Sequence, residues 1–161
     1  MAVKKKTAKR AASKTTSRKA KAAPKKARAK AESLKLRGLS PGYTVDDLEK
    51  SIAWYRDVVG FAVEERWEQE GKLVGVSLRA GDATLMIGQD DWKKGRDRKK
   101  GEGFRIFCET SQDIDAMARG IEGRGGTLEH KPTDQPWGYR DFGLSDPDGF
   151  KLTIGAKKKK R

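Results

Sequence analysis

One cysteine, one histidine and no asparagine occur among 161 residues. Cys108, standing alone, closes no internal disulfide and builds no cysteine-cluster zinc or iron–sulfur site. The missing asparagine removes every N-glycosylation acceptor. No apolar run approaches the ~18 residues that a membrane span requires. The opening MAVKKKTAKRAASKTT is charged and has no apolar stretch, unlike a secretory leader. These shortages predict a soluble, cytoplasmic protein of a reducing compartment with no membrane partner.

Large apolar side chains are missing from one region above all. Residues 1–33 hold no leucine, isoleucine or aromatic residue, and 13 Lys and Arg stand there against one acid, Glu32. Residues 157–161 read KKKKR, whereas residues 34–156 carry 19 bases and 22 acids. The net charge of +14 therefore resides wholly in the two ends. A segment with no apolar face cannot offset the entropy of ordering itself, so 1–33 is predicted to be a disordered basic tail. The folded body is then 34–156, and 157–161 is a short basic C-terminal tail. Lys4, Lys5, Lys6, Lys9, Arg10, Lys14, Arg18, Lys19, Lys21, Lys25, Lys26, Arg28 and Lys30 are candidate phosphate contacts for sequence-independent nucleic-acid association. In composition the tail resembles those of linker histones and bacterial histone-like proteins, which implies a nucleoid-associated place in the cell. The alternative is a solvated, solubilising tail.

The body has the patterning that the tail lacks. Leu48, Ile52, Tyr55 and Val59 recur at helical spacing after Asp46 and Glu49, which read as a capping box, and Gly60 stops the helix. Strand-like runs follow at 61–69, 72–80 and 83–88, broken at Glu70-Gly71 and Gly81-Asp82. The order then repeats: a strand at 103–109, a helix at 110–124, and strands at 127–131, 140–145 and 150–155, with Asp146-Pro147-Asp148-Gly149 as a turn. Shifted by 66, Asp47-Leu48 falls on Asp113-Ile114, and shifted by 67, LMIG (85–88) falls on LTIG (152–155). The chain reads βαβββ twice, with modules at about 34–88 and 102–155.

YTVDDLEKSIAWYRDVVGF and PWGYRDFGLSDPDGFKLTI resemble the two ends of a vicinal oxygen chelate domain. That superfamily includes glyoxalases, extradiol dioxygenases, fosfomycin-resistance enzymes and bleomycin-resistance proteins. The resemblance covers about 36–155 and implies an α+β fold of two βαβββ modules. Each is a curved mixed sheet around a cavity with a helix on its convex side, and the cavity is often completed in a homodimer. Metal-using members hold one divalent ion with His or Glu on the first and last strands of each module. Matched by motif, those positions fall here on Ser40, Met86, Arg105 (Ile106 if the register moves by one) and Thr153. Such a set suits no hard or borderline divalent cation, and Arg repels one, so no metal and no other cofactor is expected. His130 lies in the segment matching the family's sixth strand and reads as a surface or packing residue. Other constellations are missing too: there is no nucleophile elbow, Walker loop or dinucleotide fingerprint.

Strand alternation directs Leu85, Ile87, Phe104, Ile106, Cys108, Leu152 and Ile154 toward the helices, and Met86, Arg105, Phe107 and Thr153 toward the cavity. With Ser40, the linker Trp92 and the loop residues Trp137 and Tyr139, these form a candidate pocket for a small organic molecule, planar or anionic. Trp54 reads as packing. The basic run Lys93–Lys100, interrupted by acids, reads as a solvated loop. The leading expectation is therefore a metal-free, bleomycin-resistance-like binder that forms a homodimer and has nucleic-acid-associating tails. A metal-dependent lyase or dioxygenase is one alternative. A nucleoid protein using the body as a dimerising scaffold is another.

Overall fold

The computed structural model describes residue 34 and residues 36–158. The tail readings for 1–33 and for Lys159, Lys160 and Arg161 lie outside the described residues. Module 1 runs β1 (Gly42–Val45), α1 (Leu48–Ala53) continued by a π-helical segment (Trp54–Val59), β2 (Ala62–Gln69), β3 (Lys72–Ala80) and β4 (Ala83–Gln89). Module 2 runs β5 (Arg105–Glu109), α2 (Ile114–Gly123), β6 (Leu128–Asp134), β7 (Tyr139–Ser145) and β8 (Lys151–Lys157). The sheets have strand orders β1-β4-β3-β2 and β5-β8-β7-β6. The first strand of each module lies parallel to its last, and the other pairs are antiparallel. This is the α+β double βαβββ architecture that the repeat predicts.

Local chemistry sets the elements. Asp47 and Asp113 cap their helices by accepting from Lys50 N–H and Ala116 N–H at 3.0 and 2.9 Å. The capping box expected at Asp46 and Glu49 does not form, because both side chains are engaged elsewhere. Asp46 pairs with Lys100, its own N–H donates to Asp148 at 2.6 Å, and Glu49 takes Arg66 at 2.9 Å. The second helix begins at Ile114 rather than at 110, since Thr110 accepts from Gln112 N–H in a separate turn. The strand expected from 103 begins at Arg105 after left-handed Gly101 and Gly103. Phe104, left outside the strand, is 40% exposed and meets Tyr43 and Phe150 edge-on instead of facing a helix.

One apolar core spans both modules. Leu48, Ile52 and Tyr55 of the first helical layer and Ile114, Ala118 and Ile121 of α2 bury against Val76, Leu78, Leu85, Ile87, Phe142, Leu144, Leu152 and Ile154. Ile106 and Cys108 pack on its edge, and burial pushes the Cys108 thiol up in pKa, away from the reactive thiolate. The modules join where the Tyr55 hydroxyl donates to Asp146 Oδ2 at 3.1 Å. Asp146 Oδ1 accepts from Asp148 N–H and Phe150 N–H at 3.0 and 2.8 Å, so one buried carboxylate holds its own turn and the opposite helix. Tyr43 stacks on Phe150 beside this joint and meets the Tyr55 hydroxyl.

The linker is pinned to the same turn. Buried Asp90 takes Arg98 and Lys100, and their cations, led by Lys100, hold its carboxyl down at about 2. The run read as a solvated loop is thus partly an anchor. Gly101 then crosses the Gly149 backbone so closely that a Cβ on it would stand 2.1 Å from Gly149 O, at a φ of +71°. Gly101→Ala is expected to lose more than about 2 kcal/mol of stability, combining a left-handed backbone with a rigid clash. Gly95→Ala, at φ +88° with nothing within 4 Å, should lose only about 1 kcal/mol. Urea denaturation of the two variants against wild type checks the difference.

Candidate functional site

The face of each sheet turned away from its helix is shaped by a β-bulge. In module 1 the register slips between Val63 and Glu65, and in module 2 between Leu128 and His130, the same step 65 residues on. A bulge reverses which side later residues take. Trp67 is thereby brought to the open face of module 1, beside Glu64, and His130 to that of module 2, beside Glu129, as their contacts show. Strict alternation from Val63 and Leu128, both on the core side, puts Trp67 and His130 with the helices instead. Alternation therefore passes over Trp67, and a lone His130 reads as a surface or packing residue, although two acidic or polar residues in succession inside each strand are a signal of the bulge.

The open face of module 2 carries a connected polar cluster. Arg105 Nη1 donates to Thr153 Oγ1 and Nη2 to Glu129 Oε2, both at 2.9 Å. Ser145 donates to Glu129 Oε1 at 2.7 Å, and Lys151 Nζ stands 3.4 Å from the same oxygen. The Ser145 hydroxyl, with Arg105 and Lys151, holds the Glu129 carboxyl down at about 2 against the opposing effect of burial. Next to this cluster His130 Nε2 lies 3.2 Å from buried Asp141 Oδ1, which also accepts from Gln135 Nε2 at 2.8 Å. Phe107, 48% exposed, lies over Gly155 and meets Tyr139 edge-on. Tyr139 donates to Glu109 at 3.1 Å. Two clefts flank this face: one of about 700 Å³ beside Arg105 and Lys151, and one of about 520 Å³ between Trp137, Tyr139, Lys157 and Lys158.

Of the residues chosen from the sequence, Arg105, Phe107, Tyr139 and Thr153 come together here, with Thr153 buried beneath the Arg105 guanidinium. Met86 lies on the other sheet under Gly42, where Trp67 covers Gly75 and Glu64 holds Ser77 and Arg79. Ser40 is exposed and precedes β1. Trp92 is apart from both faces: it sits in the linker at φ +58°, its N–H on Asp90, with Arg96 and Lys100 over its ring at 4.3 and 5.1 Å. Trp137 is 65% exposed at the tip of the β6–β7 hairpin, where Gly138 N–H closes the turn on Gln135 O.

A divalent cation does not suit these positions. At the position that the resemblance assigns to a metal ligand, Arg105 puts a positive charge that already holds Thr153 and Glu129. Among the described residues no three His, Cys, Asp or Glu side chains gather into a metal-holding group. Hydroxyls, a thioether and a guanidinium are not a donor set for Zn²⁺, Fe²⁺ or Mn²⁺.

A profile of the Glyoxalase/Bleomycin resistance protein/Dioxygenase superfamily matches residues 39–154. Among solved structures, TioX from Micromonospora sp. ML1 superposes with a TM-score of 0.62 at 18% identity, covering 74% of this chain and 98% of its own. A superfamily member from Sphaerobacter thermophilus gives 0.59 at 24% identity, covering 74% and 98%. A glyoxalase/bleomycin resistance protein/dioxygenase from Nocardioides gives 0.61 at 17% identity, covering 80% and 88%. At such identities the likeness is one of fold. No curated protein matches the chain.

The Glu129 cluster has a pH signature. Its carboxyl is lowered from 4.5 to about 2 on folding, so its contribution to stability is complete above about pH 4.5 and is lost as pH falls toward 2. Glu129→Gln should therefore lower stability near neutrality by about 1–3 kcal/mol and flatten the acid limb between those values. Denaturant melts at a series of pH values check this. An unchanged acid limb contradicts the cluster.

Proposed function

We propose that this chain, which belongs to the Glyoxalase/Bleomycin resistance protein/Dioxygenase superfamily, binds a small organic molecule on the open face of module 2 without a metal ion. The observation that carries this reading is Arg105, whose guanidinium is tied to Thr153 and Glu129 at a position that motif matching assigns to a ligand of metal-using members. A fixed cation next to Phe107 and Tyr139 suits a flat molecule with an anionic or hydrogen-bonding group. The body works as a homodimer, in which a second copy covers apolar residues left open on one chain, such as Val74. The basic ends, 1–33 and 157–161, associate with nucleic acid through phosphates and without sequence preference.

Elemental analysis after dialysis should find well under one divalent metal per chain. A near-equimolar zinc, nickel, iron or manganese overturns the metal-free reading and favours a lyase or dioxygenase. In a thermal-shift screen of planar antibiotics and aromatic metabolites, Arg105→Ala should weaken anionic hits by about tenfold or more. It should leave neutral ones in place, and equal loss of both contradicts the role given to Arg105. If 6–10 of the end charges meet phosphates, nucleic-acid affinity should fall about 10³–10⁵-fold between 50 and 200 mM salt. A chain reduced to residues 34–156 should lose that affinity, and retention in it sinks the tail assignment.

A further inference from the structure

We infer that the open face of module 2 is a proton-coupled site for an organic acid, in which His130 and Arg105 together take the carboxylate and His130 binds a proton as it enters. The inference rests on the ligand-binding reading above and adds a residue and a chemistry to it.

The bulge in β6 is the first observation, since it brings the chain's one histidine onto the same face as Arg105. The second is a floor with no side chain. Gly143 lies between His130 on β6 and Thr153 on β8, and a Cβ there would stand 2.6 Å from His130 Nδ1 and 3.5 Å from Arg105 Nη1. Imidazole and guanidinium thus converge over one glycine, and nothing larger than glycine lets the imidazole lie there. The third is the partner behind the ring. Asp141 is 2% exposed, and a carboxylate only accepts, so His130 Nε2 is its donor. Nδ1 is left on the side of Gly143 and Arg105, and it is the atom that gains the proton.

Charge decides when the site takes an anion. The groups facing His130 are Asp141 and the neutral Gln135 amide on its Nε2 side, and Arg105, Glu129, Lys151 and Ser145 across the sheet. At the far end Glu109 is taken by Tyr139, with Lys157 at 3.8 Å. Arg105 and Lys151 balance Glu129 and Asp141, so a neutral imidazole leaves the cluster with no net charge. Imidazolium gives it one surplus positive charge. Imidazole is the side chain whose charge ordinarily changes between about pH 5 and 8. A bound carboxylate favours the charged ring, and the charged ring favours the carboxylate, so binding takes up a proton from solvent at Nδ1 with no covalent bond made or broken. Phe107 over Gly155 supplies an apolar wall of ring size beside the charges, which selects a planar aromatic acid over a small inorganic anion.

The test is calorimetric titration of the full chain with 2-naphthoate and with its neutral counterpart 2-naphthylmethanol, at pH 5.5 and 8.0, in two buffers of different ionisation enthalpy. Wild type should bind 2-naphthoate about tenfold more tightly at pH 5.5 than at 8.0. The buffer dependence should show proton uptake, and 2-naphthylmethanol should bind equally at both pH values. His130→Gln should abolish the pH dependence and the proton uptake for 2-naphthoate. If both probes bind with no pH dependence or no proton uptake in wild type, the inference falls and the ligand-binding reading stands. If neither binds at millimolar concentration, both fall.

Discussion

The Tyr55 hydroxyl on buried Asp146 is the contact through which the two modules become one body. Desolvation, with the Asp148 charge adding to it, raises the Asp146 carboxyl's pKa, and a charge there is tolerated because three donors converge on it: Tyr55 O–H, Asp148 N–H and Phe150 N–H. The acidic turn that holds them also receives Asp46 N–H on Asp148 and passes under Gly101 of the linker. Helix, turn and linker therefore share one joint. Because Phe150 leads directly into β8, the joint also fixes where Thr153 and its neighbours present themselves.

From that joint outward, the two modules are built alike but used differently. Each has an aspartate-capped helix, a parallel pairing of first and last strands, and a bulge in the second strand. On module 1 the bulge leaves Trp67 over Gly75, beside Glu64 on Ser77 and Arg79. On module 2 it brings His130 beside the cluster that Glu129 forms with Arg105. The same backbone device thus provides an acidic and apolar face in one half and a face that sets histidine beside arginine in the other. Glycine makes both possible, since a side chain at Gly75 or Gly143 would displace the ring lying above it.

Much of this was legible in the sequence. The repeat, the hairpin turn at Glu70-Gly71 with both residues left-handed, and the alternation at Leu85-Met86-Ile87 and Leu152-Thr153-Ile154 all follow from local patterning. Arg105, Phe107 and Thr153 fell on one face because β5 and β8 run without a bulge. What local patterning could not carry was tertiary competition. Asp46 and Asp47 are equivalent caps by type, and only Lys100 and Asp148, far along the chain, decide between them. Trp92 looks like a pocket aromatic until Arg96 and Lys100 are seen on its ring. His130 reads as a surface or packing residue until the bulge that turns it onto the open face is known.

The central claim is that the open face of module 2 holds its ligand through Arg105 and its aromatic neighbours, without a metal. Amide chemical-shift mapping of the labelled chain with 2-naphthoate, with and without a chelator, tests it most directly. The account predicts that the perturbed amides cluster at Arg105, Phe107, His130, Gly143 and Thr153, and that the chelator changes nothing. Perturbations that appear only with an added divalent metal, or that gather at Trp92 or Trp137 and spare Arg105, contradict it.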